Sequence, residues 1–148
     1  MMLLAMALAA EAVAPITIEV RNVRNARGDV RVDICPKDRF LADGCPWHAA
    51  VPARAGMTVI TVAGVPPGDY AAQAFHDEND NDKIDRGWFG IPKEGIGFSR
   101  DAHFVPSSPK WRDAEFTHTT AAQTIHFSLR YLTGPANAEE WHSLHLKR

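Results

Sequence analysis

Residues 123–132 read QTIHFSLRYL, and in this run Ile125, Phe127, Leu129 and Tyr131 alternate with Thr124, His126, Ser128 and Arg130. A period of two puts every second side chain on one face of an extended strand; a helix, with period 3.6, would scatter them. The pattern recurs where Ile16, Ile18 and Val20 alternate with Thr17 and Glu19, and where Val30, Val32 and Ile34 alternate with Arg31 and Asp33. Asn25-Ala26-Arg27-Gly28 between these two runs reads as a turn, so the pair is expected to form a hairpin with one buried face. This repetition limits the chain to architectures that bury one face of a sheet.

Met57–Val62 is a third strand, rich in β-branched residues, and Val65-Pro66-Pro67-Gly68 a tight turn. Next, Asp69–His76 sets Tyr70, Ala72, Ala74 and His76 on one face and Ala71, Gln73 and Phe75 on the other. Its alanines suggest close approach of another layer. Residues 77–108 are turn-like, with Gly87, Gly90, Gly95 and Gly97, and strands resume at Ala114–His118 and Gln123–Leu132. No helix-period segment of useful length precedes residue 136, although Ala138–Lys147 suits one short helix with Trp141, Leu144 and His145 on one side. The expectation is an all-β domain over residues 15–132: a single antiparallel β-sandwich of about seven strands with a long Gly/Pro-rich loop. A closed barrel is the alternative, and residues 133–148 form a tail.

With 148 residues the chain can bury one sizeable core. Its net charge is −2 and its Lys and Arg are scattered, so it lacks the concentrated basic face that nucleic acid requires. No apolar run approaches the roughly 20 residues of a membrane span. Residues 1–14, MMLLAMALAAEAVA, have the apolar run and A-x-A spacing of a signal peptide or its remnant, without a preceding Lys or Arg. Export to the periplasm or beyond is the corresponding expectation. Cys35 and Cys45 lie ten residues apart with no C-x-x-C partner, which favours a disulfide closing a local loop over zinc.

Asp77, Glu78, Asp80, Asp82 and Asp85 place five carboxylates in nine residues, a density that solvation or a cation must offset. Asp77, Asn79, Asn81, Lys83 (through its carbonyl) and Asp85 fall at positions 1, 3, 5, 7 and 9 of a calcium loop. Position 6 is Asp82 where glycine is expected, and position 12 is Trp88 rather than the bidentate glutamate. The half-site that remains is expected to bind calcium weakly, on the order of 0.1–1 mM, with Glu94 completing the shell if the next loop folds back. The competing reading is a solvated turn whose Asp and Asn side chains bond nearby amides.

Pro67-Gly68-Asp69-Tyr70, Phe75-His76-Asp77-Glu78-Asn79, Asn81, Asp85, Gly90-Ile91-Pro92-Lys93-Glu94-Gly95 and Gly97-Phe98-Ser99, with Pro109 and Asp113-Ala114, form a linked set. In these residues the chain resembles the bacterial domain-of-unknown-function 2141 family, over roughly residues 16–132. The resemblance implies an exported protein with an immunoglobulin-like or transthyretin-like sandwich, and it implies no activity. Where the family usually has glycine after the second asparagine, this chain has Asp82. Transthyretin-like hydroxyisourate hydrolases share such a sandwich, but their C-terminal Tyr-Arg-Gly-Ser is absent; the nearest stretch is Arg130-Tyr131-Leu132-Thr133.

His76 is either a metal ligand or general base beside the acidic loop, or a histidine fixing a strand-to-loop corner. Trp88, Phe89 and Phe98, with His76, form either a ligand platform or the anchors that pin the long loop. No nucleophile elbow, phosphate loop, dinucleotide fingerprint or H-E-x-x-H helix is present. The expectation is therefore a non-enzymatic exported module, calcium-stabilised at the acidic loop, that binds a protein or glycan of the cell envelope. The alternative is a metal-dependent hydrolase-like enzyme using His76, Asp77 and Glu94.

Overall fold

The first alternating run forms β1 (Ile16–Val23) and the second forms β2 (Asp29–Cys35), but they do not pair with each other. The computed structural model describes residues 13–42, 44–82, 84 and 92–146. The other strands are β3 (Trp47–Pro52), β4 (Gly56–Val62), β5 (Gly68–Asp77), β6 (Ile96–Phe98), β7 (Phe116–His118) and β8 (Gln123–Ser128). Two short helices, α1 (Trp111–Ala114) and α2 (Ala138–His145), complete the described elements with two 3-10 turns, Lys37–Arg39 and Ser99–Asp101.

One sheet has the order β4-β1-β8, the other β3-β2-β5-β6, with β7 also on β5. The expected β1–β2 hairpin is corrected: the chain crosses between sheets at residues 24–28. The reason lies in the burial pattern. Ile16, Ile18 and Val20 of β1 and Val30, Val32 and Ile34 of β2 are all fully buried in one cluster, because the strands face each other across the core rather than sharing an edge. Asn22 breaks β1 with a left-handed φ of 60°. Its amide nitrogen donates to the Leu129 and Ala136 carbonyls at 2.8 and 2.9 Å. The sandwich is also mixed rather than purely antiparallel, since β1 and β8 run parallel, with Ile16 opposite Gln123 and Arg21 opposite Ser128.

β5 has both faces covered. Tyr70, Ala72 and Ala74 join the main core, while Ala71 and Phe75 meet Phe98, Ala102, Ala114, Phe104 and Trp111 on the far side. Its outer edge is closed by three successive pieces of chain. β7 pairs with Gly68–Tyr70 and β6 with Gln73–Phe75. Between them the Ser99 hydroxyl accepts from the Ala72 amide at 2.9 Å and donates to the Ala114 carbonyl at 2.5 Å. That single side chain stands in for a missing ladder hydrogen bond. β6 also bridges to Arg130 just beyond β8, through Ile96–Arg130 hydrogen bonds of 3.1 and 2.9 Å, so the two sheets join along this seam.

Cys35 and Cys45 are disulfide-bonded with Cα atoms 5.1 Å apart. The segment after that loop, to which the sequence pattern assigns no element, contains β3. No described helix is long and apolar enough to cross a membrane.

Candidate functional site at the acidic corner

Strand β5 carries His76 and Asp77 to its end, opposite the start of β2, where Asp29 faces Asp77. Both side chains lie inside the protein, each at 0 % exposure. The His76 Nε2 lies 2.7 Å from the Arg27 carbonyl and its Nδ1 lies 2.8 Å from the Tyr131 hydroxyl. A carbonyl only accepts, so Nε2 carries the proton and Nδ1 accepts from the tyrosine. The Tyr131 oxygen in turn accepts from the Arg24 amide at 3.0 Å. Burial lowers the His76 pKa, which keeps the imidazole neutral and the chain of donors consistent. Burial likewise raises the Tyr131 pKa, so its proton stays in place.

The acidic turn has its charge met largely from within the protein. Asp77 accepts the Asn81 and Asp82 amides at 3.1 and 2.8 Å, closing the loop on itself, with the Arg31 Nε 3.8 Å away. Glu78 is gripped by Arg24, through Nε at 2.9 Å and Nη2 at 2.5 Å, and by the Asn25 amide at 2.9 Å. Arg31 also pairs with Asp82. Asp82 has a left-handed φ of 62°, the conformation for which the calcium-loop pattern reserves glycine. Among the described carboxylates of the turn Asp80 is the exception: it sits at the surface beside Asp29. Its pKa is raised by desolvation first, then by the charge of Asp29 and a hydrogen bond shared with it.

Arg24 ties this corner to the C-terminal tail. Its Nη1 donates to the Thr133 and Pro135 carbonyls at 2.7 and 3.1 Å, and its guanidinium lies 4.4 Å from the Tyr131 ring centroid and 5.7 Å from that of Trp141. Trp141 is held by α2, whose first turn is capped where the Asn137 side chain accepts the Glu140 amide at 2.9 Å. Two glycines make the corner passable. Gly28 has φ +63° and a Cβ there would lie 1.9 Å from the Asp77 carbonyl oxygen; a Cβ on Gly95 would lie 2.4 Å from the Tyr131 ring.

The structure therefore brings His76 and Asp77 together as a buried corner, and withdraws His76 from any ligand platform because neither ring nitrogen reaches solvent. Asn79 and Asn81 are exposed on the turn, whereas Glu94 is buried one residue before Gly95, the carbonyl of which accepts the His76 amide at 2.9 Å. Lys83, Asp85, Trp88 and Phe89 lie outside the described residues. Among the described residues, no three His, Cys, Asp or Glu side chains form a set that could hold a metal ion. Phe98 is a wall of a separate cleft, considered below. Sequence reasoning missed Arg24, Arg31 and Tyr131 as partners of the corner. The one available signal was the excess of acid in the turn, which demanded cations from elsewhere.

Neither a curated protein nor a solved structure matches this chain. The sequence model of the DUF2141 family, described as an uncharacterized protein conserved in bacteria, matches residues 18–126, and the chain belongs to that family.

Proposed function

We propose that the chain is an exported, non-enzymatic β-sandwich module of immunoglobulin-like or transthyretin-like type. It acts in the cell envelope or outside the cell by binding a protein or glycan partner. Its acidic turn is a structural clamp with Arg24 and Arg31 as the counter-cations. The observation that supports this reading is the state of His76 and Asp77: both are wholly buried, and every polar atom of the imidazole is engaged in fixing the chain. A general base needs reach to a substrate proton, and this histidine has none. Diethyl pyrocarbonate labelling read by mass spectrometry tests it. His76 should stay unmodified in the native protein while exposed His103 and His142 react. Equal labelling of His76 would sink the structural reading. Export is tested by fractionating cells that express the chain: the product should be extracytoplasmic, cleaved within residues 1–14 and oxidised at Cys35–Cys45.

A second reading, calcium at the turn, is favoured by the crowding of Asp80 against Asp29, which a cation would relieve. Millimolar calcium should then raise the melting temperature, and Asp77→Ala with Asp85→Ala should abolish the rise. No calcium response in the intact protein removes this second reading and leaves the clamp untouched.

A further inference from the structure

Along the seam where β6 and β8 meet, residues 97–98, 101–104, 128 and 130 line an open cleft of ≈ 350 Å³. This is at the lower end of small-molecule sites, which run from about 300 to 1,000 Å³. Phe98 and Phe104 meet edge to face with centroids 5.5 Å apart, Phe98 buried and Phe104 half-buried. Arg130 stands at the mouth with its guanidinium 6.0 Å from the Phe104 centroid, and it makes no ion pair or side-chain hydrogen bond with a described residue. Asp101 also lines the cleft, but its carboxylate is held by the Ser128 amide at 2.8 Å and forms no ion pair with Arg130. The backbone that builds this wall is costly. Arg100 and Asp101 are consecutive non-glycine residues at φ 58° and 51°, a conformation that costs roughly 1–2 kcal/mol per residue. Such strain collects where a wall must be held in shape for a ligand.

We propose that this cleft binds a small organic monocarboxylate carrying an aromatic ring. The ring is placed chiefly against half-buried Phe104, with the exposed rim of Phe98 and Ala102 beside it, in a cleft whose lining is part apolar and part polar. The carboxylate is placed by Arg130, because a planar guanidinium fork matches a planar carboxylate with two parallel hydrogen bonds. The charge is set by the balance of the lining. Arg130 is the one Lys or Arg of the lining and can answer a single negative charge, whereas a phosphate dianion would call for further cations and would meet the Asp101 carboxylate as well. His103, exposed at the rim, adds a polar group beside the entering ligand. The site shares no residue with the acidic corner, so it stands or falls independently of the clamp.

The test is a titration of the isotopically labelled full chain with benzoate, followed by amide NMR, with benzyl alcohol and acetate as controls. Benzoate should saturate shifts at Gly97, Phe98, His103 and Arg130, and both controls should bind at least fivefold more weakly. Arg130→Gln should weaken benzoate about tenfold, the loss expected for one charge-assisted hydrogen-bonded pair, while changing benzyl alcohol less than twofold. Arg130→Lys, which keeps the charge without the fork, should fall between the two. Absent or scattered shifts, equal binding of either control, or unchanged benzoate affinity in both variants overturns the proposal.

Discussion

Replacing Tyr131 with phenylalanine deletes one oxygen and leaves the ring in place, and that oxygen joins two buried groups. In Tyr131→Phe the His76 Nδ1 loses its donor and the Arg24 amide its acceptor, at 2.8 and 3.0 Å respectively in the intact protein. A buried polar group stripped of its partner costs about 1–3 kcal/mol, so the expected loss for the two is about 2–6 kcal/mol at pH 7.5. For a domain of this size that lowers the melting temperature by about 7–20 °C. The pH dependence carries the sharper test. Burial depresses the His76 pKa in the folded state, so above about pH 6.5 both states are neutral and the stability is fully present. As pH falls below that value the unfolded chain takes up a proton that the folded one refuses. Stability then drops by up to about 1.4 kcal/mol per pH unit, until the folded pKa is reached. The tyrosine proton favours the neutral imidazole, so its removal raises the folded pKa and shortens this window. Urea denaturation from pH 5 to 8 should therefore show wild type and variant converging as pH falls. Parallel profiles, or a loss below about 0.5 kcal/mol at pH 7.5, would refute the assigned hydrogen-bond network.

Glu78→Gln removes the charge facing nearly buried Arg24 and should cost about 3 kcal/mol, measured by chemical denaturation. Gly28→Ala forces a Cβ onto the Asp77 carbonyl at a positive φ, and should leave little folded protein by circular dichroism and gel filtration. Breaking the disulfide with Cys35→Ser and Cys45→Ser together should cost about 2.5–3 kcal/mol on the chain-entropy model for this short loop, again read from denaturation midpoints.

The strands β1, β2, β4 and β8 are legible in the sequence because one face is more buried and the other wet, whereas β5, covered on both faces, is read from its length and the Pro-Pro-Gly turn before it. β3 is not, because Trp47–Pro52 contains no fully buried residue, and its WHAAVP composition gives no strong period. β6 is three residues long and buried on all of them, too short for any pattern. Pairing is less legible still. Alternation reports that a strand has an inside, not which sheet it joins, and the turn between β1 and β2 looks the same whether it reverses within a sheet or crosses between two. At the corner, the spacing of Asp77, Asn79 and Asn81 is local and readable. The arginines that answer this turn come from residues 24 and 31, and the tyrosine from residue 131, so only the fold reveals them.

The parallel pairing of β1 with β8 sets the order in which the protein can become whole. A ribosome that has delivered everything up to residue 122 has released all of β4 but none of β8, so β1 still has a bare edge and Phe127, Leu129 and Tyr131 are missing from the core. The histidine of β5 then has no hydroxyl to accept from, and Arg24 has no tail carbonyls to hold. Closure thus waits for β8, and until that strand is made residues 16–122 form an open, incompletely cored polypeptide. Long-range closure of this kind is slow by nature. Every truncation that removes the last strand should therefore yield a chain that never settles, however intact its first 122 residues are.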